Sequence, residues 1–283
     1  MTDFKGVYKN AEEHTVWYAV GIFVFLAVAI SLQVYYSGLF ILSLIIGLIF
    51  AALTFFRPLW SLAFLALYLP FEPFILKFVP EDVYVFARYF SELLVYAIFA
   101  IAVWRYLTEA RTRATTPINL PFILFLVVAI ASAVINFVAP HIAILGLRQI
   151  IRFVLIFFAV VFLRPSKEYI SKLTLALFFV VFFEAGLGIL QAIIGEPLDL
   201  LLLPSESHAM GEIILTSGVT QTWDFGTRVF ATLGRYDCLG TFLAFFLVIA
   251  SAMVYEFKKR KDRQYLWFMF LLVVPALVLT YSR

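Results

Sequence analysis

Charge is scarce in this sequence: Asp, Glu, Lys and Arg make up 14% of the 283 residues, against about 25% in ordinary soluble domains. So sparse a supply cannot clothe a water-facing surface, which excludes an ordinary soluble domain. The net charge of +3 comes from Lys and Arg grouped at the ends of apolar runs. No basic patch interleaved with aromatics is present, which excludes nucleic acid as a partner. Cysteine is almost absent. Cys238 alone rules out an intramolecular disulfide framework and any C-x-x-C metal site. The three histidines, His14, His141 and His208, lie far apart without ligand spacing, so neither a metal nor a cofactor is expected. Internal repeats and low-complexity linkers are missing too, and residues 1–283 read as a single integral membrane domain.

What the sequence has in quantity is apolar length: 64% hydrophobic residues and a mean hydropathy of +1.02. A helix needs about 20 apolar residues to cross the hydrocarbon core. Nine segments qualify, near 16–36, 39–56, 59–78, 88–107, 119–138, 142–163, 172–194, 238–256 and 265–281. The predicted fold is therefore all-α, a polytopic transmembrane bundle embedded in a lipid bilayer. Pro70, Glu72 and Pro73 interrupt the third run and predict a bent or re-entrant piece. The first run follows a mixed-charge start and leads straight into the second, which reads as an uncleaved signal anchor.

Lys and Arg beside the spans favour the cytoplasm. With the N-terminus inside, the cytoplasmic set comprises Lys5, Lys9, Arg57, Arg105, Arg111, Arg113, Arg164, Lys167, Lys172 and the basic cluster at 258–263. It outnumbers the external or embedded remainder roughly two to one. That orientation puts the longest connection, 195–237, on the outer side, lying along the interface.

The arginines that break this rule are the informative ones. Arg148 and Arg152 are four apart and share one face of the sixth span. Burying a guanidinium there costs at least about 2.5 kcal/mol, so it must face protein, water or an anion. Glu184 in the seventh span stands at matching depth and is the expected neighbour of Arg152. A structural ion pair that fixes helix register is the plainer reading. For Arg148 the candidate partner is Glu92. Glu184, Gly188 and Gln191 fall at i, i+4 and i+7, a polar and small-residue stripe suited to close packing around a cavity. Outside the spans, Arg228 and Arg235 stand with Asp224 and Asp237 before the eighth run. They are either solvated local pairs worth about 0–1 kcal/mol each or, with turns at Gly226 and Gly234, a clamp for a diphosphate. His208 reads first as an ordinary loop histidine and only second as a catalytic base. His141 is read the same way.

The stretch "RVFATLGRYDCLGTFLAFFLVIASAMV", followed after a basic loop by "FMFLLVVPALVLTYSR", resembles the O-antigen ligase and polymerase family of bacterial envelope glycan assembly. Arg228, Thr232 and Gly234 match its first motif, and Thr280, Ser282 and Arg283 its second; "LRQIIRFVLIFF" is similar to its arginine-bearing helix. Asp237 replaces the usual Asn, and Arg235 and Tyr236 depart from the usual small residues or Pro. The resemblance implies a C-type glycosyltransferase architecture. Such an enzyme moves a glycan from undecaprenyl diphosphate to a glycan or lipid acceptor at the outer face of the bacterial cytoplasmic membrane, without metal. Arg148, Arg152, Arg228, Arg235 and Arg283 would bind the diphosphate, supported by Glu184 and Asp237. The family's external loop and catalytic His follow the Ser-Arg motif, so the resemblance also implies a chain truncated at its C-terminus, without its catalytic base. Two other classes remain open: a transporter of an anionic or lipid-linked solute, which should show repeated halves and broken helices, and a noncatalytic scaffold, with arginines scattered rather than convergent.

Overall fold

A computed structural model of the chain describes residues 38–108, 116–204, 207–210, 213–216, 228–256 and 260–281. Two compact units emerge, residues 1–49 and 50–283, and every contact discussed below lies within the second. The elements, in order, are α1 (Gly38–Phe56), α2 (Pro58–Tyr68), a 3-10 turn (Leu69–Phe71), α3 (Glu72–Leu76), α4 (Glu81–Thr108), α5 (Asn119–Ile135), α6 (Pro140–Leu163), α7 (Lys167–Ile194) and α8 (Glu196–Leu202). A hairpin of β1 (Ser207–Met210) and β2 (Ile213–Thr216), a second 3-10 turn (Ala231–Leu233), α9 (Tyr236–Glu256) and α10 (Arg260–Leu279) complete the set.

Among the described residues, six helical stretches are long and apolar enough to cross a membrane: Gly38–Phe56, Pro58–Leu76, Glu81–Thr108, Ile142–Leu163, Lys167–Ile194 and Tyr236–Val254. Two expected spans come out shorter, as the apolar helices Asn119–Ile135 and Met269–Leu279. The first of these stops because Asn136 turns back on Ser132, Phe137 takes a φ of 51°, and Pro140 opens a new helix. The run at 16–36 lies outside the described residues. The fold is all-helical, as expected, and the connection after α8 adds one short antiparallel pair in which Ser207 faces Thr216 and His208 faces Leu215. Four-residue strands of "SHAM" and "IILT" are too short for alternation to stand out among apolar runs.

Proline and local caps set the helix ends. Pro58 begins α2 and forces Arg57 out of helical geometry, at φ −137°. Pro70 and Pro73 remove two backbone donors inside the next apolar run, so it proceeds as α2, a 3-10 turn and α3, as predicted from the sequence. Ser166 caps α7 by accepting the Tyr169 N–H at 3.1 Å. The other end of α7 stops at Gly195, whose φ of 72° suits glycine alone.

One core joins α2, α4 and α6 through Leu62, Leu65, Leu94, Ile98, Ala102 and Ala159. The other joins α7, α9 and α10 through Val181, Ala185, Leu243, Ala250, Val273 and Ala276. Large apolar side chains remain outside: Phe179 is 70% exposed, Val248 70% and Leu271 73%. Bulky apolar side chains turned outward are what a helix needs against acyl chains, and the small residues Ala102, Ala159, Ala185, Ala250 and Ala276 inside let the helices approach closely.

Candidate functional site

Apart from Thr54 and Ser61, which bond to each other at the junction of α1 and α2, the buried polar side chains of the described residues gather at one end, around and beside the 3-10 turn Ala231–Leu233. The stripe on α7 receives it. Glu184, fully buried, accepts the Thr232 N–H at 3.1 Å and also the Thr232 hydroxyl. Two turns further along α7, Gln191 Oε1 accepts the N–H groups of Phe230 and Ala231, at 3.0 and 2.9 Å, while its Nε2 donates to Asp199 Oδ1 at 2.8 Å. Gly188 lies between them on the same face. A Cβ there would meet Val229 Cγ2 at 3.5 Å and Leu239 at 3.7 Å. The stripe legible in the sequence therefore packs closely, but against the main chain at 229–232 rather than around a cavity.

The turn is also fixed from its other side. Thr232 Oγ1 lies 3.1 Å from the Pro70 carbonyl, at the point where the chain bends. Gly234 takes a φ of 73°, and a Cβ on it would stand 2.5 Å from Pro204 Cγ and 3.0 Å from Pro73 Cβ. Lys77 donates to the Leu200 and Leu201 carbonyls, at 2.6 and 3.0 Å, satisfying the open end of α8. The Val229 N–H reaches the Leu279 carbonyl at 3.3 Å. This last contact sets the stretch beginning at Arg228 beside the end of α10, where Thr280 is fully buried.

Arginines and carboxylates border the bent segment 69–76. Glu72, 9% exposed, accepts the Ser91 hydroxyl at 2.6 Å, and both Arg88 and Arg152 act on it electrostatically. Arg152 also places its guanidinium carbon 4.8 Å from the Phe153 ring centroid. Its Nε is buried without a hydrogen-bond partner. The expected partnership of Arg152 with Glu184 is corrected: Glu184 is taken by Thr232, and Arg152 acts instead on Glu72. Matching depth along two helices does not make two side chains face each other; α6 packs on α4, whereas α7 packs on α9 and α10.

Arg148 does find Glu92. Its Nε lies 3.1 Å from Glu92 Oε1, an ion pair too poorly aligned for a hydrogen bond, and its guanidinium stacks 4.9 Å over Tyr89. Tyr96, one helical turn on, donates its hydroxyl to the same Glu92 oxygen. Arg228 stacks 4.4 Å over Tyr236. Arg235 makes a two-pronged pair with Asp237, at 3.0 and 2.9 Å, both side chains about half exposed. That bidentate contact raises the Arg235 pKa above its ordinary value.

Of the predicted site residues, Arg148 and Arg152 stand with α4 and the bent segment, and Arg228, Arg235 and Asp237 with the turn and the start of α9. Glu184 holds that turn in place. His208 sits in β1 and His141 in the first turn of α6. Arg283, Asp224 and Gly226 lie outside the described residues. Glu72, Ser91, Tyr96 and Asp199 were not singled out from the sequence as parts of a site. Glu72 had a signal of its own, a carboxylate placed between two prolines inside an apolar run. Among the described residues no three His, Cys, Asp or Glu side chains gather as a metal site requires. No family profile, curated protein or solved structure matches the chain.

Proposed function

We propose that the chain is an integral protein of the bacterial cytoplasmic membrane with nine spans and a cytoplasmic N-terminus, working as an O-antigen ligase or polymerase type of glycosyltransferase. In this reading it moves a glycan from undecaprenyl diphosphate to an acceptor hydroxyl at the outer face. The acceptor oxygen attacks the anomeric carbon of the lipid-linked sugar and forms the new glycosidic bond. The bond from that carbon to the phosphate oxygen breaks, undecaprenyl diphosphate departs with the electron pair, and the hydroxyl proton passes to a base. Arginines suit the departing group, because a guanidinium fork meets phosphate oxygens and its charge favours the leaving state over the ground state.

The observation that supports this reading is the meeting of two segments far apart in sequence. The Arg228 stretch and the end of α10 carry the two matched motifs, and the hydrogen bond from Val229 to Leu279 joins them. Arg152 acts on Glu72 of the bent segment, whose Pro70 and Pro73 contact the turn, and Arg148 stands one helical turn away from Arg152 on α6. With the positive-inside orientation, that end of the bundle faces outward.

Arg235→Ala provides the clean test, since its exposed pair with Asp237 is worth only about 0–1 kcal/mol of stability. In proteoliposomes of a full-length version carrying the family's external loop, supplied with undecaprenyl diphosphate-linked glycan and acceptor, Arg235→Ala and Arg228→Ala should each lower transfer at least tenfold while leaving insertion unchanged. Full transfer by both variants refutes the assignment. A second reading, transport of an anionic solute, draws on the half-buried group of Arg148 and Tyr96 about the buried Glu92. It requires uptake of a labelled anion by the same vesicles and no change in the glycan.

A further inference from the structure

The opposite end of the bundle holds a groove between α2 and α7, with a volume of about 440 Å³. Its walls include Trp60, Leu67, Ser166, Lys172, Leu173 and Ala176, and its character changes along its length. Ser166, Glu168 and Lys172 line one end, while Leu67 and Ala176 line the other. Ala176 lies ten residues beyond Ser166 on one helix, a rise of about 15 Å. That equals about half of a hydrocarbon core of roughly 30 Å, the depth of one leaflet. Trp60, 67% exposed, stands where an aromatic belt would anchor.

The charge at the groove's mouth is one-sided. Glu168 and Lys172 in its lining pair at 2.7 Å, both largely exposed, and Arg57, Arg164 and Lys167 stand within three residues of a lining residue along the chain, four cations to one carboxylate. We propose that this groove seats an anionic phospholipid of the cytoplasmic leaflet, its phosphate against Lys172 and one acyl chain along Leu67 and Ala176. The proposal rests on the membrane reading above but not on glycan transfer.

Variants retaining Trp60 or Trp104 as the sole tryptophan, reconstituted with brominated lipids, test it by fluorescence quenching. Trp104 is 64% exposed, and its neighbour Arg105 is already committed to the Phe55 and Phe56 carbonyls, so it reports bulk lipid. Brominated phosphatidylglycerol should quench Trp60 at an about fivefold lower mole fraction than brominated phosphatidylcholine, the preference one well-placed cation supplies. At Trp104 the two lipids should act nearly alike. Lys172→Gln, which removes the cation, and Ala176→Phe, which fills the groove, should each abolish the preference at Trp60. Equal quenching of Trp60 by both lipids, or a preference that survives either substitution, overturns the proposal and leaves the membrane reading standing. Failure of both lipids to quench either tryptophan removes the membrane reading as well.

Discussion

Replacing Gln191 with Leu keeps nearly the same volume on α7 and removes three hydrogen bonds at once. The N–H groups of Phe230 and Ala231 lose their acceptor, and both residues are fully buried, so water cannot stand in without opening the turn. A buried donor left unsatisfied costs about 1–3 kcal/mol, which gives about 2–6 kcal/mol for the pair. Asp199, 1% exposed, loses a donor in addition. The cost falls on the turn first, because local opening there releases the stranded groups without unfolding the bundle. At about 1.4 kcal/mol per tenfold, amide hydrogen exchange in peptides covering 228–234 should accelerate at least about 30-fold in the detergent-solubilised variant. The interior of α4, tied to the other core, should exchange as before. Gln191→Glu supplies acceptor oxygens again and should restore part of the protection, limited by a second carboxyl beside Asp199. Unchanged exchange over 228–234 in Gln191→Leu would refute the idea that this side chain holds the turn.

Gly234→Ala and Gly188→Ala should part company in thermal unfolding. At Gly234 a methyl group meets two proline rings at 2.5 and 3.0 Å on a positive-φ residue, so strain and overpacking together should cost about 2–5 kcal/mol. At Gly188 the added methyl makes ordinary contacts at 3.5 and 3.7 Å, and the melting temperature should barely move. Arg148→Ala leaves Glu92, 7% exposed, without its cation and should destabilise by about 3 kcal/mol. Adding Glu92→Gln to that variant should recover much of the loss, and additive losses in the double variant would show that the two groups are not coupled.

The helices were legible because hydropathy and proline act locally. The end of α1 at Arg57 and Pro58, and the bend at Pro70 and Pro73, each follow from a missing donor or a steric clash that one residue carries with it. The stripe of Glu184, Gly188 and Gln191 was equally plain from helical spacing. Its partner was not, since what occupies the stripe is the backbone at 230–232, about forty residues downstream, and backbone N–H groups look alike in every sequence. Charge matching by depth found Glu92 for Arg148 but misassigned Arg152, because depth fixes one coordinate and leaves the rotation of each helix free. The hairpin escaped notice for a related reason: strands of four residues bury too little to impose a pattern.

Thr232 has one hydroxyl proton and two oxygens beside it, Glu184 Oε1 and the Pro70 carbonyl. It cannot donate to both at full strength, and one oxygen belongs to α7 while the other belongs to the bend between α2 and α3. A single shared proton thus ties the turn to two elements at once. A valine here would keep the volume and lose both hydroxyl contacts.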